Sequence, residues 1–220
     1  MLKAVLFDLD GTLLDRDTSV KLFIEDQYRR LEKALNHIPK DRYIQRFLQL
    51  DNHGYLWKDK VYSQMVEEYN ITEISWQALL QDYKNEFKHY CVPFPGLLGL
   101  LAELKKKQLA LGMITNGYEQ FQLENIKSLG IESYFDVIII SESEEIKKPD
   151  PRIFRRALKK INVAPGESIF VGDHLDNDVK AAESLGMIGV WKKNNNKDKI
   201  EIEYKIEALS DLIRIVEKLN

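Results

Sequence analysis

The sequence predicts an α/β protein: a parallel sheet packed between helices, interrupted near its start by a helical insertion. Three observations carry this. From Pro95 onward, short apolar runs alternate with segments of helical spacing, the pattern of consecutive strand–helix–strand units. Residues 4–7 form one more apolar run at the amino terminus. A lone buried strand would have no hydrogen-bonding partners, so this run belongs in the later sheet. Residues 16–90 lack the compact Val/Ile runs seen later, yet they hold 12 of the 22 aromatic residues. They read as a bundle whose aromatics form its own core.

Val5, Leu6 and Phe7 are too few for a helix and rich in strand formers, so they read as a strand buried on both faces. Asp8 closes the run, Asp10 lies just past it, and Gly11 permits a sharp turn. Both carboxylates thus fall in the crevice beyond a strand's carboxyl end, where open α/β sheets bind ligands. Two acids so close repel unless a cation or a shared proton intervenes. A plain Asp-Gly turn accounts for Asp10 and Gly11 but not for an acid ending a buried run. A metal site accounts for both.

Helical spacing within the insertion covers about 19–37, 41–51, 57–69 and 75–90. Ser75 is the expected N-cap of the last, and Pro39 and Asn52-His53-Gly54 supply breaks. Pro93, Pro95 and Gly96 mark the return. The expected organisation is a three-layer Rossmann-like core over 1–15 and 91–220, with an all-helical domain over 16–90. In the core, Leu97, Leu101 and Leu104, with Leu98, line a helix face, and a strand follows near 109–114. A helix over 119–129 ends at Gly130. Further strands are expected at 137–140, 169–171 and 188–191, with helices at 151–161 and 177–185. Residues 192–199, with three asparagines and four lysines, read as a solvated loop. Leu209, Leu212, Ile213, Val216 and Leu219 mark a final amphipathic helix after Ser210.

Composition narrows the function. Hydrophobic residues make up 44%, charged residues 30%, and the formal net charge is −3, which leaves no footprint for nucleic acid. Cys91 is the only cysteine, which excludes an intramolecular disulfide and fits a reducing compartment. With neither a signal-like apolar stretch nor a run of ~20 apolar residues, the expectation is a cytoplasmic protein without membrane contact, monomeric or homodimeric.

Polar residues stand at the ends of the remaining strands. Thr115 and Asn116 follow the strand near 109–114, where a hydroxyl beside a new helix start suits an anion, although Thr and Asn also cap helices routinely. Lys147 and Lys148 precede Pro149 and Pro151, and although paired lysines usually sit in water, Lys148 is held on a stiffened segment. There it could offset clustered carboxylates and hold a phosphate as a point charge. Gly172-Asp173-His174-Leu175-Asp176-Asn177-Asp178 follows the strand at 169–171. A calcium loop needs longer ligand spacing and a terminal Glu. Asp176 could serve as a helix N-cap. His174 reads as a residue at the edge of the site.

These positions resemble the four motifs of the haloacid dehalogenase superfamily, most of whose members are phosphotransferases. Asp8-Leu9-Asp10-Gly11-Thr12-Leu13 is similar to the first motif, Thr115 to the second, Lys148 before Pro149 to the third, and Asp173 with Asp178 to the fourth. The resemblance spans residues 4–186. It implies an Mg²⁺-dependent phosphatase acting on a small phosphorylated metabolite, with 16–90 as a helical cap. In that family pattern Asp8, the Asp10 main-chain carbonyl and Asp173 hold Mg²⁺. Asp8 is the nucleophile that forms an aspartyl-phosphate, and Asp10 is the general acid and base. Thr115, the Asn116 amide and Lys148 bind the phosphoryl group, while Asp178 orders waters or Lys148.

Rival readings remain at this stage. A hydrolytic 2-haloacid dehalogenase shares the scaffold but needs no acid at position 10. A sugar-phosphate mutase would keep every motif. A non-catalytic binding protein would usually have lost a catalytic acid, and a receiver domain carries no insertion after its first strand. Arg42, Arg46, His53, Lys58 and Lys60 could present charge to a substrate, with a solvated face as their ordinary role.

Overall fold

The first strand, β1 (Ala4–Phe7), runs parallel between β2 (Ala110–Thr115) and a strand met much later in the chain, after β3 (Val137–Ile140): β4 (Ser168–Gly172). With β5 (Ile188–Lys192) and β6 (Lys205–Ile206) the described residues build a six-stranded parallel sheet of order β3-β2-β1-β4-β5-β6. This is the doubly wound, Rossmann-like order, in which the chain works outward from β1 and then crosses back to its other side. The computed structural model describes residues 1–194 and 202–220. All four residues of β1 are fully buried, so both faces of the sheet are covered there.

The chain divides into two compact units, one of Met1–Asp15 with Pro93–Asn220 and one of Arg16–Val92. In the second unit α1 (Arg16–Arg30), α2 (Lys40–Asp51), α3 (Lys58–Glu68) and α4 (Trp76–Glu86) fall close to the periods read from the sequence. Ser75 does cap α4, accepting the Ala78 N–H at 3.2 Å. The aromatics pack on one another: Phe23 meets Tyr83 edge-on at 5.1 Å, and Phe47 lies 5.3 Å from Tyr62. Tyr55 and Trp57 are exposed. The buried Gln27 amide is satisfied on both sides, donating to the Leu79 carbonyl and Asp82 and accepting from the Tyr62 hydroxyl. Arg16 binds the buried Asp51 through two bonds of 2.9 and 3.0 Å, and Lys58 binds the same carboxylate. Lys58 is therefore not part of a solvated face. Its ammonium lies over the Phe47 and Tyr83 rings, 5.9 and 5.2 Å from their centroids. Arg46 pairs with Glu68, His53 with Asp17, and Arg42 lies over the Tyr69 ring.

In the first unit the two passages of chain that flank the helical segment meet, Phe94 N–H donating to the Leu13 carbonyl at 2.9 Å. Then follow α5 (Leu97–Lys106), α6 (Glu119–Ser128), α7 (Pro151–Lys160) and, at the end, α8 (Asp211–Leu219). On α5 the buried face is Leu97, Leu100, Leu101 and Leu104, at i, i+3, i+4 and i+7. Leu98 stands about 100° round the helix and is exposed, so it is not part of the apolar stripe. Gly130 ends α6 in the left-handed conformation at φ 68°, as its position predicts. Phe154 of α7 packs edge-on against Phe170 of β4 at 5.0 Å, within a cluster that includes Leu6, Ile114 and Ile139. β6 carried no sequence signal, being two residues long. In the expected 192–199 loop, Lys192 closes β5 and is buried, Lys193 and Asn194 carry no regular structure, and 195–199 lie outside the described residues. Among the described residues no helix is long and apolar enough to cross a membrane.

Two glycines give opposite expectations. A Cβ on Gly112 of β2 would stand 2.8 Å from Leu6 Cγ and 3.1 Å from Val137 Cγ1, whereas nothing lies within 4 Å of one on Gly99 of α5. Gly112→Ala should destabilise by about 1–3 kcal/mol. Gly99→Ala should stabilise by about 0.5–1 kcal/mol, because a helix interior favours Ala. Thermal melts of both variants check this, with shifts of opposite sign expected.

Candidate active site

The sheet reverses its direction of growth between β1 and β4, so the crevice past their carboxyl ends is the place for a ligand. Asp8 is the first residue beyond β1. Its N–H continues the ladder by donating to the Val171 carbonyl at 2.9 Å, which leaves its side chain buried at the crevice floor. Asp173 is the first residue beyond β4. Asp8, Asp173 and Asp178 each bring one carboxylate oxygen within 4.8 Å of the others.

Lys148 enters this cluster from the segment before α7. It is 3% exposed, and its Nζ donates to Asp8 Oδ1 and to Asp178 Oδ1, both at 2.6 Å. Burial alone would lower the pKa of this ammonium, but the charges of Asp178 and Asp8 outweigh burial and raise it. The Asn116 side chain fixes the backbone of Lys148 from both sides. Its Oδ1 accepts the Lys148 N–H at 2.9 Å and its Nδ2 donates to the Lys148 carbonyl at 3.1 Å. The Lys148–Pro149 peptide is cis.

Asp10 belongs to a different set of contacts. Its Oδ2 accepts from Nε2 of Gln122 at 2.7 Å, and the same nitrogen lies 2.8 Å from the Thr115 hydroxyl at the end of β2. Gly11, at φ 80°, carries the turn between the two halves of the site. A Cβ there would stand 2.1 Å from Asp173 Oδ2, so only glycine lets the second strand end approach. The Thr12 hydroxyl donates to Asp8 Oδ2 at 3.2 Å.

In the loop after β4, the His174 N–H donates to Asp178 Oδ2 at 3.0 Å, so both oxygens of Asp178 are engaged. His174 Nδ1 accepts from the N–H groups of Asp176 and Asn177, each at 3.2 Å, and so caps the π-helical turn Leu175–Lys180, which runs on into Ala181–Glu183. The helix thus begins two residues before the expected 177. Its cap is His174 rather than Asp176, because the imidazole nitrogen reaches back to the turn while Asp176 pairs outward with Lys180 at 2.7 Å.

The sequence-read residues therefore fall into two linked groups, Asp8, Lys148, Asp173 and Asp178 on one side, Asp10 and Thr115 on the other. Asn116 braces the lysine. Gln122 was missed, since a glutamine on a helix face carries no signal by type. The trace it leaves is Gly117, where a Cβ would stand 2.9 Å from Gln122 Cγ. Lys192 and Asn194 were missed too. Lys192 is buried, its Nζ 4.2 Å from the Phe94 ring centroid and 2.9 Å from Asn194 Oδ1, and Asn194 Nδ2 donates to the Gly11 carbonyl at 2.7 Å.

Charge is out of balance here. Burial, with repulsion from Asp178 and Asp10, outweighs the pull of Lys148 and holds the Asp8 carboxyl up at about 7. Burial and the neighbouring Asp8 and Asp178 push Asp173 up to about 8. Among the described residues no donor reaches the Asp173 carboxylate. An under-compensated oxygen cluster that includes a carboxylate without a hydrogen-bonding donor is the donor set a hard divalent cation takes, and the residues present fit one.

Comparison with known proteins gives the family. The sequence model of haloacid dehalogenase-like hydrolases matches residues 5–191. The chain is 32% identical over 233 residues to the glyceraldehyde 3-phosphate phosphatase of Pyrococcus furiosus, covering 100% of this chain and 95% of that protein. It is 33% identical over 135 residues to the phosphoserine phosphatase of Thermus thermophilus, over 61% of this chain and 54% of that one. The crystal structure of a phosphatase of the same superfamily from Thermococcus onnurineus superposes with a TM-score of 0.69 at 30% identity, covering 98% of both chains. A family match over most of the chain and a full-length relative above 30% identity leave one assignment: the chain belongs to the haloacid dehalogenase-like hydrolase family.

Proposed function

We propose that the chain is an Mg²⁺-dependent phosphatase that hydrolyses a small phosphorylated metabolite through an aspartyl-phosphate on Asp8. Its family and full-length relatives make it a hydrolase of phosphate monoesters. The observation that carries the finer reading is the junction of Asp8 and Asp173 at adjacent strand ends, with Lys148 buried beside Asp8.

In this reading Asp8 and Asp173 hold the metal, together with the Asp10 main-chain carbonyl. Bound Mg²⁺ supplies charge neutralisation for the carboxylates and for the phosphoryl oxygens. An Asp8 oxygen attacks phosphorus, and the ester oxygen leaves with a proton from the Asp10 carboxyl. Water then attacks the aspartyl-phosphate and gives its proton to Asp10, which releases inorganic phosphate and restores both acids. Lys148, the Thr115 hydroxyl and the Asn116 main-chain amide steady the phosphoryl oxygens. Lys148 is held for this by Asn116 and Asp178. The helical segment 16–90 acts as a cap that selects the leaving group, with 1–15 and 91–220 as the catalytic core. Asp10 also argues against a dehalogenase, which has no use for an acid there.

Three outcomes follow. Asp8→Asn should abolish turnover without unfolding, and acid quenching of the wild type on labelled substrate should leave label on Asp8. Label on His174 would overturn the assignment. Second, Asp8 and Asp173 have folded-state pKa values raised from 3.8 to about 7 and 8, so the metal-free protein binds extra protons relative to the unfolded chain. That stabilisation is complete below pH ~4 and is lost as pH rises through 7 to 8. Melts in chelator should therefore drop between pH 5.5 and 8.5, and Mg²⁺ should restore the loss at the high end. No Mg²⁺ effect at pH 8.5 would count against the metal site. Third, kcat/KM over phosphorylated metabolites, including glyceraldehyde 3-phosphate and phosphoserine, should change its rank order when residues 53–60 are replaced. An unchanged order would contradict the cap role.

A further inference from the structure

The acid that must deliver the proton has a neutral partner that comes from another element. Gln122 lies in the first turns of α6 and is 2% exposed. Its Nε2 is 2.7 Å from Asp10 Oδ2, 2.8 Å from Thr115 Oγ1 and 3.2 Å from the Asn116 carbonyl oxygen. Those partners fix the orientation of the amide. A carboxylate and a main-chain carbonyl only accept, so nitrogen and not oxygen faces them. The amide oxygen turns the other way and accepts from Asn125 Nδ2 at 3.3 Å. A Cβ on Gly117 would press on this amide, at 3.0 Å from Nε2, so the turn after β2 leaves Gln122 room that another residue would close.

We propose that Gln122 is a positioning residue for proton transfer, holding Asp10 at Oδ2 so that Oδ1 is the oxygen that carries the proton to and from substrate. This deepens the reading of Asp10 as general acid and rests on it. An oxygen already accepting an N–H is the poorer seat for a proton, because a hydrogen placed there would face the amide hydrogen. The second amide hydrogen is shared between the Thr115 hydroxyl and the Asn116 carbonyl, and the Thr115 hydroxyl keeps its own hydrogen to donate to a phosphoryl oxygen. The proposed role runs through Asp10 alone, because the Thr115 hydroxyl can rotate to keep a donor for the anion whichever side chain stands beside it. Since effects through Asp10 depend on the leaving group and effects through Thr115 do not, the two can be told apart.

The test compares wild type, Gln122→Met, Gln122→Asn, Asp10→Asn and the Asp10→Asn/Gln122→Met double variant, each as the full chain with Mg²⁺. Met keeps the length and removes the donors. Asn keeps a buried amide but falls a methylene short, so it serves if the Met variant fails to fold. The substrates are an alkyl phosphate and p-nitrophenyl phosphate, followed by burst and steady-state rates. Losing a hydrogen bond to a charged group should slow the alkyl burst roughly 10- to 100-fold. The aryl burst, whose leaving group needs little protonation, should fall by less than about 3-fold. Inhibition by inorganic phosphate should hold within about 3-fold. The double variant should be no slower than Asp10→Asn alone, since Gln122 would act only through that acid. Equal slowing of both bursts, or phosphate inhibition weakened in step with rate, would overturn the inference. The Asp10 reading stands in that event, provided Asp10→Asn keeps its own leaving-group dependence. Equal slowing in Asp10→Asn itself would overturn that reading and the inference with it.

Discussion

The buried ammonium of Lys148 is the constraint on which the site depends. Two carboxylates at the floor of one crevice can stay buried only if positive charge comes with them, and Lys148 supplies it at 2.6 Å to both Asp8 and Asp178. Truncating one partner of such a network leaves an uncompensated buried charge, typically a loss of about 3–5 kcal/mol. The lysine itself is held by its backbone, clamped by Asn116 from the end of β2. One cation therefore ties together the ends of β1, β2 and β4, and those three strands can bear polar ends side by side because of it.

Strand register does the rest. Phe7 pairs with Val171 in the parallel ladder, so Asp8, the first residue past β1, comes level with Gly172, the last of β4 and the residue before Asp173. A one-residue slip would turn either carboxylate to the opposite face. Glycines then admit crowding that any side chain would block. A Cβ on Gly172 would stand 2.3 Å from Asp178 Cβ, as one on Gly11 would stand 2.1 Å from Asp173 Oδ2. The lysine compensates only part of the resulting charge. The excess raises Asp8 and Asp173 to about 7 and 8, and this is the imbalance that the proposed metal would relieve.

What could be read in advance follows from this geometry. Buried parallel strands announce themselves as apolar runs, and an acid at the end of such a run is conspicuous. Asp8 and Asp173 were therefore legible from residue type and place, whereas Thr115 and the choice of Lys148 over Lys147 needed the family resemblance. Gln122, Lys192 and Asn194 were not, because their roles come from which elements the fold brings near them, and their types are common on any surface. Lys58 was misplaced for the same reason: nothing local distinguishes a lysine in water from one bound to a buried Asp51. The cap at His174 escaped because a histidine nitrogen did what an Asp two residues on would ordinarily do. β6 is held by pairing with Trp191 and Lys192, not by any pattern of its own.

The two acids of the first motif, two residues apart, stand in different surroundings, and the proposed mechanism gives them different tasks. Asp8 is enclosed and bonded to the Lys148 ammonium, which fixes the carboxyl in position, while burial still raises it to about 7 and the proposed metal would favour the anion that the proposed nucleophile needs. Asp10 lies past the strand end, half-buried, and its contact is with a neutral amide. In the proposed mechanism this contact engages Oδ2 and leaves Oδ1 for the substrate. Environments that differ in this way separate the roles of paired carboxylates. The division arises from chain geometry: the turn at Gly11 sends Asp8 inward to Lys148 and Asp10 across to α6. An exchange of the two roles would require Lys148 and Gln122 to exchange places, and the fold holds those two on different elements, Gln122 on α6 and Lys148 in the segment before α7.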